Sequence, residues 1–247
     1  LPPTGALRET FGRDGTREAS AAAILYQYDI DEAFPPAALD EAQRAPGQVE
    51  SDALAARLDL REETIITIDG ESAKDLDDAV SLTRDAGGRW VLGVHIADVS
   101  HYVTEKSALD AEAFERGTSV YFADRVIPML PQALSNGICS LNPHVDRLTL
   151  SCLMTVGEDG AVLSHSIHKS VIRSTERMTY TDCNALLAGE DRDLEERYAH
   201  ILPMLRDMAV LAGKLERRRQ LRGSLDIESS ESYIICDEAG RPVDIAA

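Results

Sequence analysis

The chain has 247 residues, 44% of them hydrophobic and 28% charged, a globular balance with enough length for a sizeable core. No run of about 18 apolar residues occurs, which excludes a transmembrane helix. The formal charge of −18 argues against a protein that coats a phosphate backbone unaided, since that takes a basic footprint. Metal ions that screen the carboxylates, or basic groups gathered in one channel, would reconcile such a chain with nucleic acid. Cys139, Cys152, Cys183 and Cys236 are widely spaced and contain no Cys-x-x-Cys pair, so they read as buried thiols of a reducing, cytoplasmic protein and not as a zinc knuckle. The start, Leu1-Pro2-Pro3-Thr4-Gly5, has no signal-peptide pattern, and without an initiator Met it reads as a fragment or a processed chain.

In chain order, residues 1–50 form an Ala-rich helical lead-in. A helix is expected over 17–28, broken at Phe34-Pro35-Pro36, and a second over 37–44, ending near Pro46-Gly47. From Thr64 the pattern turns to strands: 64–68 (TIITI), 79–83 and 90–99 (WVLGVHIADV), the last two joined by a turn at 85–88. Ser107 and Asp110 open a helix that Gly117 closes. Strands over 148–156 and 162–172 flank a Gly157-Glu158-Asp159-Gly160 turn, a hairpin by spacing. A helix follows Thr181, and one long helix is expected over 194–222, kinked at Pro203 and capped by Gly223, with Tyr198, Ile201, Leu205, Met208, Ala212 and Leu215 on its apolar side. Strands over 233–236 and 242–245 pair around a turn at 238–240. The fold class is α+β, a mixed, largely antiparallel sheet with flanking helices. Residues 51–247 constitute the main domain.

The chemistry lies in TIDGESAKDLDDAV (67–80), where Asp69, Asp75, Asp77 and Asp78 fall within ten residues. Two carboxylates about 5 Å apart repel by about 3 kcal/mol at an effective dielectric near 20. Gathering four of them is unfavourable unless cations sit among them, and hard ions such as Mg²⁺ take oxygen ligands. An EF-hand is excluded, because the positions that need glycine and an acidic residue hold Val80 and Ala86 counted from Asp75, or Lys74 and Val80 counted from Asp69. Spacing alone leaves a metal site and a solvated acidic loop both open. Asp69, at the end of an Ile-rich strand, favours the metal, since an unpaired buried carboxylate is costly.

The string TIDGESAKDLDDAV resembles the signature of the RNB family, exoribonucleases of the ribonuclease II and ribonuclease R type. The likeness continues in VHIADVS (94–100), RGTSVY (116–121), VIPMLP (126–131), LSNGICSLNP (134–143) and RGSLD (222–226), in the family's order. It covers at least residues 50–247 and implies the first half of an RNB catalytic domain. It also implies a 3′→5′ exoribonuclease that hydrolyses single-stranded RNA to nucleoside 5′-monophosphates with Mg²⁺, for which Mn²⁺ can substitute. On that resemblance Asp69 and Asp78 hold the metal at the scissile phosphate, Asp75 and Asp77 complete a two-metal site, and Asp77 is the most critical for hydrolysis. Tyr121 stacks on the 3′-terminal bases, and Tyr180 helps orient the terminal nucleotide. The resemblance also implies partners: the second half of the catalytic domain, with its phosphate-binding arginines, and flanking cold-shock and S1-type domains. Since the sequence stops before that half, impaired or absent activity of this chain alone is expected. The alternatives are a non-catalytic RNA- or protein-binding fragment that keeps the metal site, or another metal-dependent phosphodiesterase.

Other features have plainer readings. His95 and His101 read as hydrogen-bonded structural histidines. His165 and His168, three apart on a strand, face opposite sides and cannot share an ion. The basic run at 214–222 reads as a solvated helix end favoured by the helix dipole.

Overall fold

The computed structural model describes residues 5–122, 125–225, 232–237 and 240–246. Helices α1 (Arg17–Gln27), α2 (Pro36–Arg44) and α3 (Ser51–Leu54) lead into strands β1 (Leu58–Leu60), β2 (Ile66–Asp69), β3 (Asp78–Arg84) and β4 (Trp90–Ala97). Helix α4 (Ala108–Arg116) follows, then a short ribbon of β5 (Val120–Tyr121) and β6 (Val126–Ile127), then a wide helical turn, Ala133–Ile138. The long hairpin β7 (Asp146–Val156) and β8 (Val162–Arg173) leads to β9 (Glu176–Thr179), α5 (Tyr180–Ala188), α6 (Arg192–Arg197) and α7 (Leu202–Leu221). Strands β10 (Tyr233–Cys236) and β11 (Pro242–Ala246) form a separate antiparallel pair.

Seven strands make one sheet in the order β1-β8-β7-β4-β3-β2-β9. Its inner pairs are antiparallel, and parallel pairing occurs only at the two edges, β1 on β8 and β9 on β2. This is the expected α+β architecture. Side chains alternate across the sheet, so each strand serves two cores. On one face Leu82, Trp90 and Val156 meet Leu211 of α7, while Ile66 and Met178 meet Cys183, Leu186, Leu202 and Leu205 of α5 and α7. On the other face Ile65, Ala79, Ala97 and Ile172 close over Leu76 and Leu141. Beyond them α2 packs through Ala38 and Ala42 on Leu109, Leu134 and Ile138.

That second face also carries a buried polar ladder. His95 Nε2 meets Ser81 Oγ at 3.1 Å and Nδ1 meets Ser151 Oγ at 2.7 Å, and Ser151 Oγ lies 2.6 Å from Ser170 Oγ. Burial pushes the His95 imidazole down to about 4, so at neutral pH the ring is uncharged and bonded at both nitrogens. The structural reading of His95 holds. The ladder also explains Gly93, which faces Ser81 in the register: a Cβ there would stand 2.3 Å from Ser81 Oγ and 2.8 Å from His95 Nε2.

Local signals worked where they are self-contained. Ser107 Oγ accepts from Asp110 N at 3.1 Å, and Gly117 ends α4 with a positive φ of 69°. Two expectations fail. The stretch 194–222 is two helices, α6 and α7, with Pro203 in the first turn of the second. The missing N–H of proline is harmless there, and Tyr198 and Ile201 in the break stay buried, so the apolar periodicity runs on through the interruption. The basic end of α7 is not merely solvated either: Lys214 Nζ donates to Glu158 O at 2.7 Å and Arg218 Nη1 to Asp159 at 2.8 Å, which pins the β7–β8 turn. Asp226 and the turn residues Glu238 and Ala239 lie outside the described residues. No described helix is long and apolar enough to cross a membrane. Cys139 and Cys183 are buried, and Cys152 and Cys236 half-buried.

Candidate metal centre

The β-branched residues of β2 carry the chain through the sheet and set Asp69 at the strand's last position. The chain then leaves the sheet and returns with Asp78 as the first residue of β3, opposite Ile96 of β4. Between them Leu76, only 1% exposed, anchors the loop in the core made by Ile65, Ala79, Ala97, Leu141 and Ile172. Backbone bonds hold it on both sides, from Leu141 N to Leu76 O (2.8 Å) and from Ala97 N to Asp77 O (2.9 Å). Ser140 Oγ accepts from Leu76 N at 3.1 Å and donates to Lys74 O at 2.8 Å. With Leu76 turned inward, its neighbours Asp75 and Asp77 turn outward, onto an open cleft of about 360 Å³ shared with Ile96, Ser119, Met129 and Leu130.

Asp69 and Asp77 sense the carboxylates around them. The carboxyl of Asp69 is raised above the usual carboxylate range by burial first and then by the charges of Asp78 and Asp75, while Arg177 pulls it back. That of Asp77 is also raised, by lost hydration first and then by Asp75, Asp78 and Asp69. Asp77 reaches solvent, yet the protein packed behind it strips part of its hydration. Among the described residues no group of three or more His, Cys, Asp or Glu is arranged to hold a metal ion. The donor set nevertheless fits a hard divalent cation: it is made of carboxylates only, and bound positive charge would relieve the burial and repulsion that Asp69 and Asp77 experience.

Tyr121, 70% exposed, lies on β5 two residues beyond Ser119 of the cleft. Tyr180, 60% exposed, opens α5 directly after Thr179, which stands opposite Asp69 in the β2–β9 register. Both side chains are therefore exposed, in segments that adjoin the cleft or the end of β2. Sequence reasoning missed the residues that shape the loop. Arg177 of β9 donates through Nη2 to the carbonyls of Gly70 (3.2 Å), Glu71 (2.8 Å) and Ala73 (3.0 Å). Thr181 donates to the carboxylate of Glu71. Ser140 lies in LSNGICSLNP (134–143), and nothing in the local sequence marks Arg177.

Comparison with known families shows where the chain belongs. The model of the RNB domain matches residues 57–247. The chain belongs to the RNB family. Among its relatives, Ribonuclease R 1 of Lactococcus lactis is 47% identical over 241 residues, covering 98% of this chain and 29% of that protein. Ribonuclease R of Thermotoga maritima is 48% identical over 225 residues, covering 90% and 31%. The chain thus spans under a third of the length of these RNB proteins. The structure of Mycoplasma genitalium RNase R in complex with double-stranded RNA superposes with a TM-score of 0.87 at 28% identity, over 96% of this chain and 42% of that one. Yeast Ssd1, a pseudonuclease, shares the RNB fold at a TM-score of 0.70 and 18% identity. Fold alone therefore does not carry catalysis, and the functional argument rests on the aspartates.

Proposed function

We propose that this chain carries the metal-binding half of a 3′→5′ exoribonuclease site that hydrolyses single-stranded RNA to nucleoside 5′-monophosphates. The observation that carries the reading is the aspartate loop, with Asp69 and Asp78 at facing strand ends and Asp75 and Asp77 on the cleft. Asp69 and Asp78 would hold the Mg²⁺ at the scissile phosphate, and Asp75 and Asp77 a second, with Asp77 the most sensitive to loss. Bound there, the ions would supply a water of lowered pKa and neutralise charge on the leaving oxygen. The loop's contribution is placement, because Leu76, Ser140 and the strand ends hold carboxylates that would otherwise spread apart. Tyr121 and Tyr180 would supply base contacts without sequence preference, as stepwise degradation requires. The net acidity suits this division of labour, in which metal screens the carboxylates and the longer protein, through the rest of its catalytic domain and its cold-shock and S1-type domains, supplies positive charge for the phosphates. We place the reaction in the cytoplasm.

A 5′-labelled single-stranded oligoribonucleotide incubated with the protein in Mg²⁺ tests this reading, with EDTA and Asp77→Asn as controls. Shortening from the 3′ end that both controls abolish supports it. Equal cutting of DNA would instead mark a general phosphodiesterase. A non-catalytic, RNA-holding role is the second reading, because the chain spans under a third of the length of its relatives. RNA retention without shortening, even with the complete catalytic domain restored, would establish that role.

A further inference from the structure

The loop that carries the aspartates has little structure of its own between Gly70 and Ala73. Its internal backbone bond there is the single turn from Ala73 N to Gly70 O, at 3.2 Å. What gathers it is one nitrogen of β9, Arg177 Nη2, on which the carbonyls of Gly70, Glu71 and Ala73 converge at 3.2, 2.8 and 3.0 Å. Three carbonyl dipoles aimed at one point repel each other unless a cation sits there, and a guanidinium is a cation that cannot lose its proton. Arg177 Nε is buried without a hydrogen-bond partner, an energetic cost that the grip on the loop must offset. Register fixes the geometry, because β9 runs parallel to β2 with Arg177 opposite Thr67 and Thr179 opposite Asp69. The arginine thus reaches past the strand end to the backbone that follows Asp69. A second tie comes from Thr181, four residues on, to the Glu71 carboxylate. Tyr180 lies between the two ties, at the start of α5.

We infer that Arg177 is the positioning residue of the metal loop, and that with Thr181 it straps residues 70–73 so that Asp69 and Asp75, on either side of them, present their carboxylates to one two-metal site. The inference rests on the metal reading above, and it gives β9 and α5 a role beyond closing the sheet edge. Lysine is a poor replacement, since a flexible stem with a compact ammonium does not reproduce the fixed fork of donors. Removing groups that orient metal ligands typically costs about 10- to 100-fold in metal affinity, the range expected for Arg177→Ala.

Two readouts on the 247-residue protein test it. Hydrogen exchange in EDTA reads the loop without any metal, and titration with Mn²⁺, followed by the electron-paramagnetic-resonance signal of the free ion, reads affinity. Arg177→Ala should speed exchange of the amides at 71–75 while those of β4 and β7 keep their protection, and should weaken Mn²⁺ binding by at least about tenfold. Arg177→Lys should recover part of both effects, and Thr181→Ala should show a smaller version of each. Unchanged loop exchange, or Mn²⁺ held by Arg177→Ala as tightly as by the parent, overturns the inference. Faster exchange throughout β4 and β7 overturns it too, by making Arg177 a general fold residue. If the parent binds Mn²⁺ and Asp69→Asn loses it while Arg177→Ala does not, only this inference fails. A parent that binds none fails the metal reading, and this inference falls with it.

Discussion

Without a divalent ion, the aspartate loop should be a source of instability, and Asp69→Asn should make the metal-free protein more stable. The substitution keeps the shape and removes one charge, and among the described residues the Asp69 carboxylate has no hydrogen bond or ion pair to lose. The ionised Asp69 carboxylate is disfavoured first by burial and then by the repulsion of Asp78 and Asp75, with Arg177 pulling the other way, an imbalance treated as about one net repulsion. For charges about 6 Å apart at an effective dielectric of about 40, between protein surface and water, that is about 1.4 kcal/mol, and salt screening brings it to about 1 kcal/mol. In a protein of this size the melting temperature should rise by about 2–4 °C.

Metal should reverse the order. At a Mn²⁺ concentration of about 100 times its Kd the parent gains about 2.7 kcal/mol, or about 5–10 °C, and the variant with a broken ligand set gains little. The pH dependence has a definite sign. Because the folded-state pKa of Asp69 is raised, the folded chain binds protons better than the unfolded one, and the penalty is present only where the carboxyl is ionised. The advantage of the variant in EDTA should therefore be full at pH 7 and vanish as pH falls towards the unfolded aspartate value near 4. Melting curves of both proteins in EDTA at pH 7 and pH 4, and in Mn²⁺ at pH 7, provide the test. A variant no more stable than the parent in EDTA at pH 7 would mean that the loop is an ordinary hydrated acidic segment, and the electrostatic case for a cation would be lost.

Three other outcomes test the frame that holds the loop. Arg57 and Asp98 form a buried ion pair at 2.6 Å with side chains 5% and 0% exposed, so Asp98→Ala should cost about 3–5 kcal/mol by stranding the arginine, as urea unfolding would measure. Replacing both partners with apolar residues of similar volume should cost much less, and equal losses would refute the stranded-charge explanation. Gly93→Ala should destabilise by about 1–3 kcal/mol, because its methyl group enters the Ser81–His95 contact, and a neutral result would show that the ladder has slack. His95, held down to about 4 against 6.5 when unfolded, binds fewer protons in the folded state, so its contribution is full above about pH 6.5 and is lost as pH falls to 4. Between pH 7.5 and 5 that loss should be about 2 kcal/mol in urea melts, and His95→Gln should remove that part of the slope.

The parts of this molecule that were legible in its sequence carry their own physical cost there. Four aspartates in ten residues announce a charge problem whatever the fold, and the β-branched runs, the Ser107 cap and the Gly160 turn report conditions met within a few residues. The break between α6 and α7 was hidden, because Tyr198, Ile201, Leu202 and Leu205 stay buried on both sides of it, so the pattern of burial is continuous where the backbone is not. Strands β1 and β9 were hidden for another reason. They are three and four residues long and mixed in polarity, and each exists only by parallel pairing with a distant strand. Arg177 inherits that obscurity. An arginine in a short polar segment looks the same in sequence whether it is hydrated or closed over three loop carbonyls, and only the register of β9 on β2 separates the two. Ligand residues are thus exposed to inspection by the repulsion they create, whereas the residue that holds their loop, being a lone charge that the fold neutralises with backbone dipoles, becomes visible only once the strands are paired.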